Sequence, residues 1–308
     1  MKFNKPKFWD RKGKSFLTII LFPVSLIYLL AIYLKSKIVN QNKFKIPIVC
    51  VGNIYIGGTG KTPISIEIFK IFKSIKKNPA FIKKYYPYLI DEKNLLENFG
   101  KVFFKKKRVE CIKNLINENY DIAILDDGFQ DFSIKKSLSI LCFNSKQQIG
   151  NGFILPSGPL REKLSSIKRA SCILINGEKD ICFENQILKF NPYVQIFYFK
   201  YDLLIDDHLR NKKIVAFAGI ANPNNFFDLL KDNKLKLIQT FSFPDHHDFS
   251  FNELEKIRNT AIKEDAILIT TEKDYYRIGE RNLNINFAKL NIKFENFDKF
   301  KKFIITGI

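Results

Sequence analysis

The stretch that decides the fold is Ile46-Pro47-Ile48-Val49-Cys50-Val51-Gly52-Asn53-Ile54-Tyr55-Ile56-Gly57-Gly58-Thr59-Gly60-Lys61-Thr62. Ile46 to Val51 is short, apolar and rich in β-branched residues, the composition of a buried strand. A glycine-dense turn follows, and from Thr62 to Lys73 apolar residues recur at helical spacing. In that context Gly57-Gly58-Thr59-Gly60-Lys61-Thr62 reads as a phosphate-binding loop. Glycines let backbone N–H groups turn toward phosphate oxygens, and the helix N-terminus adds a partial positive charge. Lys61 is expected to reach the β and γ phosphates of ATP, and the Thr62 hydroxyl to ligate Mg²⁺. The strict pattern has glycine at position 55, where this chain has Tyr55.

Such a loop needs a carboxylate at the end of a neighbouring strand to hold the metal shell. Ile122-Ala123-Ile124-Leu125-Asp126-Asp127 supplies two, which makes Asp126 and Asp127 candidate Mg²⁺ ligands beside Thr62. Further apolar runs at 138–143, 172–175 and 194–199 read as strands alternating with helices. A second series starts near Lys213, with strands at 214–218, 236–241 and 266–269 and helices near 224–230 and 251–262. The expected fold is α/β: a P-loop NTPase-type, mostly parallel sheet with a second, smaller α/β domain and an N-terminal membrane helix. The expected division is 1–37, 38–205 and 206–308, with the polar stretch at 201–213 marking the second boundary.

Ser15 to Leu34 carries no charge and is twenty residues long, just enough to cross a bilayer's hydrocarbon core. Arg11, Lys12 and Lys14 precede it and Lys35 and Lys37 follow, so the positive-inside rule sets no orientation. The need for ATP does: the domain that follows is expected on the cytoplasmic face. Pro23 is expected to kink the helix.

Lys and Arg total 51 against 31 acidic residues among 308, a net charge of +20. An anionic partner fits this excess, but the basic residues are spread out instead of forming a tract, which speaks against nucleic acid. The five cysteines form no C-x-x-C pair, and three lie in apolar runs, the pattern of reduced, buried thiols. Of the three histidines, His208 reads as a surface linker residue and His246-His247 as a polar turn, with no zinc-ligand spacing.

Taken together, several segments resemble the tetraacyldisaccharide 4′-kinase family. They are the loop from Val51 to Pro63, Asp126-Asp127-Gly128-Phe129-Gln130, and Gly150 to Glu162 (GNGFILPSGPLRE). Ala218-Gly219-Ile220-Ala221-Asn222-Pro223, Phe243-Pro244-Asp245-His246-His247 and Thr271-Glu272-Lys273-Asp274 follow in the family's order. The resemblance implies transfer of the γ-phosphoryl group of ATP, with Mg²⁺, to the 4′-hydroxyl of an acylated glucosamine disaccharide 1-phosphate at the inner membrane. It implies that Asp91 and His246 pair to activate that hydroxyl; with Lys61 of the phosphate-binding loop they are the candidate catalytic residues. It also implies that Arg161 and Glu162, after a rigid Pro- and Gly-rich loop, join the nucleotide site. The chain departs from the pattern at Lys83-Lys84-Tyr85-Tyr86, which lacks the usual glycine, and at Asp131, where a histidine is usual. Only Asp91 and Glu92 remain of the family's G-D-E-P segment. The alternative reading keeps the loop and changes the acceptor: a soluble ATP-dependent synthetase or a partitioning-type ATPase.

Overall fold

The computed structural model describes residues 5–11, 13, 15–204, 209–279 and 284–308; Lys12, Lys14 and His208 lie outside them. In chain order the elements are α1 (Phe16–Ile38), β1 (Ile48–Gly52), α2 (Lys61–Ser74), β2 (Pro79–Lys84), α3 (Ile90–Glu97), β3 (Val102–Lys105), α4 (Arg108–Asn117), β4 (Ile122–Asp126), β5 (Leu138–Asn144), β6 (Cys172–Asn176) and α5 (Ile181–Leu188). They continue as β7 (Gln195–Leu204), β8 (Lys213–Ala218), α6 (Pro223–Asp232), β9 (Lys236–Ser242), α7 (Phe251–Lys263), β10 (Ala266–Thr271), α8 (Glu272–Ile278), β11 (Asn286–Phe294) and α9 (Phe297–Thr306).

The larger of two packing units comprises 5–85, 99–200 and 294–308. Its strands lie in the order β3-β2-β4-β1-β5-β6-β7, every pair parallel. All of β1, β4 and β5 is buried, which is why these strands read as continuous apolar runs instead of alternating ones. The smaller unit holds 86–98 and 201–293, with strands in the order β11-β10-β8-β9, again parallel.

The expected cuts after residues 37 and 205 differ from this packing. Residues 86–98 belong to the smaller unit, because Asp91 on α3 is bonded to Arg277 on α8. Residues 294–308 belong to the larger one: Phe300 on α9 is fully buried, 5.3 Å from the Phe197 ring and stacked 4.7 Å from Phe294. Position 205 itself is not among the described residues.

Helix α1 has a mean hydropathy of 2.4 over its most apolar window, yet only 11% of that window is buried, so it is not a core helix. It begins at Ser15, whose hydroxyl accepts from the Thr18 N–H, and runs through Pro23 without interruption. Its two buried positions are polar and lie two turns apart, Thr18 and Ser25. Ser25 Oγ donates to the Ile154 carbonyl at 2.9 Å and lies 2.8 Å from Ser157 Oγ, while Asn151 Nδ2 donates to Thr18 Oγ1 at 3.4 Å. The helix is thus held to the loop at 151–160 by hydrogen bonds, with most of its leucines and isoleucines left exposed. All five cysteines are free; Cys182 is exposed and the others are buried.

Candidate functional site

Two clusters hold the residues singled out above, one in each unit. In the larger unit β1 ends at Gly52 and the chain turns through the glycine loop into α2, which starts at Lys61. Gly57 (φ +114°) and Gly60 (φ +86°) adopt backbone conformations that L side chains rarely reach, so the loop's shape depends on glycine at both. Asn53 pins the loop from below, donating to the Gly57 carbonyl at 3.2 Å and to Thr59 Oγ1 at 2.9 Å. Tyr55, in the place of the pattern's first glycine, is buried; its hydroxyl donates to Asp10 at 2.6 Å. The departure from the strict motif is therefore a packing residue that leaves Gly57 and Gly60 to shape the turn.

The C-terminal end of β4 meets this loop. Thr62 Oγ1 donates to Asp126 Oδ2 at 3.0 Å, and Ser65 to Oδ1 at 3.3 Å. Asp127 adopts φ +59° and stands between two cations. Arg161 Nη1 bonds both of its oxygens at 2.9 and 3.0 Å, and Lys61 Nζ lies 3.7 Å away. Desolvation alone would raise the Asp127 carboxyl, but Lys61, Arg161 and Lys83 outweigh it and hold the group well below the usual carboxylate range. Its unusual backbone is braced by Arg108, which donates to the Asp127 carbonyl at 2.7 Å and to Asp131 at 3.2 Å. The residue that replaces the usual histidine is thus half of an ion pair supporting this turn.

Thr62, Asp126 and Asp127 form a hard oxygen donor set suited to Mg²⁺, which takes few protein ligands and completes its shell with phosphate and water. Among the described residues no group of three or more His, Cys, Asp or Glu side chains could hold a metal by itself. Glu162 is not joined to this cluster. Its carboxylate pairs with Arg169, whose guanidinium lies over the Phe129 ring at 4.3 Å and the Phe132 ring at 4.9 Å.

In the smaller unit Asp91, on the first turn of α3, is nearly fully buried. Its Oδ2 receives Arg277 Nη2 at 2.5 Å and Nε at 3.2 Å, and lies 3.1 Å from His246 Nδ1. Its Oδ1 is buried and has no hydrogen-bond partner among the described residues. Burial would raise this carboxyl, but the His246 hydrogen bond and the charges of Lys273 and Arg277 hold it well below the ordinary range. His246 itself has φ +56°, an uncommon conformation for a non-glycine residue. It is fixed by its N–H donating to the Gly219 carbonyl at 3.1 Å. Lys273 pairs with Glu92 at 3.0 Å and lies 3.3 Å from His246 Nε2. Burial lowers the Lys273 ammonium less than Glu92, Asp245 and Asp91 raise it, so it stays charged.

Asp91 and His246, 155 positions apart, are thus brought together, as are Lys61, Thr62, Asp126, Asp127 and Arg161. Sequence reasoning missed Lys83, which bonds Asp126 Oδ2, and Arg277, which clamps Asp91. One usable signal existed in the second case. Thr271-x-x-Asp274 is an N-cap pattern: Thr271 Oγ1 accepts from Asp274 N–H at 3.1 Å. It opens α8, and on that helix Arg277 follows Asp274 at the spacing that lets the two side chains meet, 2.7 Å apart. Asp274 in turn accepts from the Gly219 N–H at 2.9 Å, so the segments containing Gly219 and Lys273 form one bracket around His246.

A family model described as tetraacyldisaccharide-1-P 4′-kinase matches residues 17–90 and 86–308. A tetraacyldisaccharide 4′-kinase of Pelagibacter ubique is 43% identical over 287 residues, covering 92% of this chain and 91% of that one. One from Rickettsia canadensis is 31% identical, covering 96% and 95%. A crystal structure of a protein of this kind from Aquifex aeolicus, in complex with ATP, superposes with a TM-score of 0.72 at 23% identity, covering 94% of this chain and 99% of that one.

Proposed function

Since this chain belongs to the tetraacyldisaccharide 4′-kinase family, and is thereby a kinase of lipid A synthesis, we propose how its two clusters divide the work of the transfer. ATP is the donor, its phosphates cradled by the backbone of Gly57, Gly58, Thr59 and Gly60 at the start of α2. The Aquifex relative's complex with ATP supports that assignment. Lys61 neutralises the β and γ phosphates. Arg161 and Lys61 also keep Asp127 ionised and in place. Thr62, Asp126 and Asp127 would hold Mg²⁺, which would supply positive charge to offset that of the phosphates during transfer.

The acceptor is the 4′-hydroxyl of an acylated glucosamine disaccharide 1-phosphate. Asp91 Oδ1 takes its proton, being the oxygen that the surrounding cations leave unbonded. His246, Arg277 and Lys273 orient the carboxylate by engaging its other oxygen. The low Asp91 carboxyl keeps the base form populated at neutral pH but makes it a weak base. It is therefore suited to receiving the proton late, as a loose phosphoryl-transfer transition state requires. Helix α1 attaches the enzyme to the inner membrane, a reading its exposed apolar surface supports, and the need for ATP puts the catalytic clusters on the cytoplasmic face.

The observation that carries the proposal is the meeting of Lys61, Thr62, Asp126, Asp127 and Arg161 around the N-terminus of α2. Family membership sets aside the synthetase and partitioning-ATPase readings. The test is transfer of label from γ-labelled ATP to the lipid disaccharide in detergent with Mg²⁺. Wild-type protein should transfer label and Lys61→Ala should lose nearly all of it; full activity in Lys61→Ala would overturn the loop's role.

A further inference from the structure

Lys83 is 2% exposed, at the C-terminal end of β2. Its ammonium bonds Asp126 Oδ2 at 2.5 Å, and Asp126 is fully buried. The same oxygen accepts from the Thr62 hydroxyl. A lysine in this position costs desolvation and side-chain freedom, and it occupies one face of the carboxylate expected to serve the metal. Three cationic groups (Lys61, Lys83 and Arg161) stand against two carboxylates, Asp126 and Asp127. That arrangement sets ammonium and guanidinium charge against the carboxylates before any ligand enters. Partial positive charge at the start of α2 adds to it. A bare divalent cation meets repulsion there, while a polyphosphate meets attraction.

We propose that Lys83 is a positioning residue that sets the order of loading. It balances Asp126 and fixes its orientation toward Thr62 in the nucleotide-free protein, so that Mg²⁺ enters with the nucleotide's phosphates and not ahead of them. The proposal rests on the reading of the glycine loop as a nucleotide site. It concerns a residue at the start of the stretch that departs from the family pattern, and one that the transfer chemistry itself does not call upon. Removing the Lys83 charge frees Asp126 Oδ2 of its ammonium partner, leaves Asp126 with the Thr62 and Ser65 hydroxyls, and opens the carboxylate to free metal.

The experiment is thermal unfolding of the full chain in detergent, titrated with MgCl₂ alone, with a non-hydrolysable ATP analogue alone, and with both. Wild-type protein should respond to the analogue without metal and show no saturable response to MgCl₂ alone. Lys83→Met should gain a saturable stabilisation by MgCl₂ alone. Its half-saturating Mg²⁺ concentration in the presence of the analogue should fall by about tenfold, equivalent to ~1.4 kcal/mol. Lys83→Arg, which keeps the charge, should behave as wild type. A merely structural lysine would lower the melting temperature without moving the metal titration. If Lys83→Met does not fold, Lys83→Gln, which keeps a donor for Asp126 but no charge, is read the same way. Identical Mg²⁺ titrations in wild type and the uncharged variants, with the analogue still binding, overturn the proposal and leave the loop's role intact. No response of the wild type to the analogue, with or without metal, overturns both.

Discussion

Replacing Asp91 by Asn tests the assignment of the base. Asp91 Oδ2 is held by Arg277 through two nitrogens and by His246, while Oδ1 faces no donor. An asparagine amide has two orientations here. With its NH₂ in the place of Oδ2 it opposes the guanidinium donors. With its oxygen there, the NH₂ takes the place of Oδ1 and presents a donor where the acceptor hydroxyl needs an acceptor. Neither orientation can take a proton. Loss of a positioned general base costs a factor of about 10²–10⁴, so kcat should fall by that much, ~2.7–5.5 kcal/mol of barrier. The KM values for ATP and lipid should stay within about threefold, because proton transfer belongs to the transition state. Some stability should go as well. Breaking a buried ion pair costs about 3–5 kcal/mol, and the low end applies because Arg277 keeps Asp274 at 2.7 Å. The assay is initial-rate label transfer at saturating substrates, on protein shown to be folded by its unfolding transition. A folded Asp91→Asn protein with kcat within about threefold of wild type would refute the assignment, given that size of effect.

Two further outcomes follow from the same contacts. Asp91 and Asp127 both sit below their unfolded value of 3.8, so below that pH the unfolded chain binds more protons than the folded one. Their stabilisation is present above about pH 4 and is lost as pH falls further, so urea midpoints should drop below that point, and Asp91→Asn should shrink the drop. Ser25→Ala should leave the Ser157 N–H, bonded to Ser25 Oγ at 3.1 Å, without its acceptor. Hydrogen exchange at Ser157 should quicken and stability fall by about 1–3 kcal/mol; unchanged exchange would mean that α1 is not held there.

The parallel core of the larger unit was legible because β1, β4, β5 and β6 are uninterrupted apolar runs bounded by turn residues. β2 and β3 were not, for a physical reason. They end in Lys83-Lys84 and Lys105, and charges at strand ends read as loop unless their partners are known. Lys83 is buried against Asp126, forty-three positions away, which receives its ammonium. The same holds for α3, a short segment whose acids look solvated until Arg277 and Lys273 are brought to them across more than 180 positions. Within the phosphate loop the sequence carried its own punctuation, since Gly57 and Gly60 are needed for backbone reasons local to the turn. The Asp91–His246 pair was legible only through resemblance, for no local pattern marks it. The resemblance also suggested Glu162, whose actual partner, Arg169, is a local contact seven residues on.

The central claim is tested most directly by following label from γ-labelled ATP into tetraacylated disaccharide 1-phosphate and locating it on the product. The account predicts Mg²⁺-dependent transfer to the 4′-hydroxyl by the wild-type chain and almost none by Lys61→Ala. Label on inorganic phosphate alone, or at another hydroxyl of the disaccharide, would contradict it.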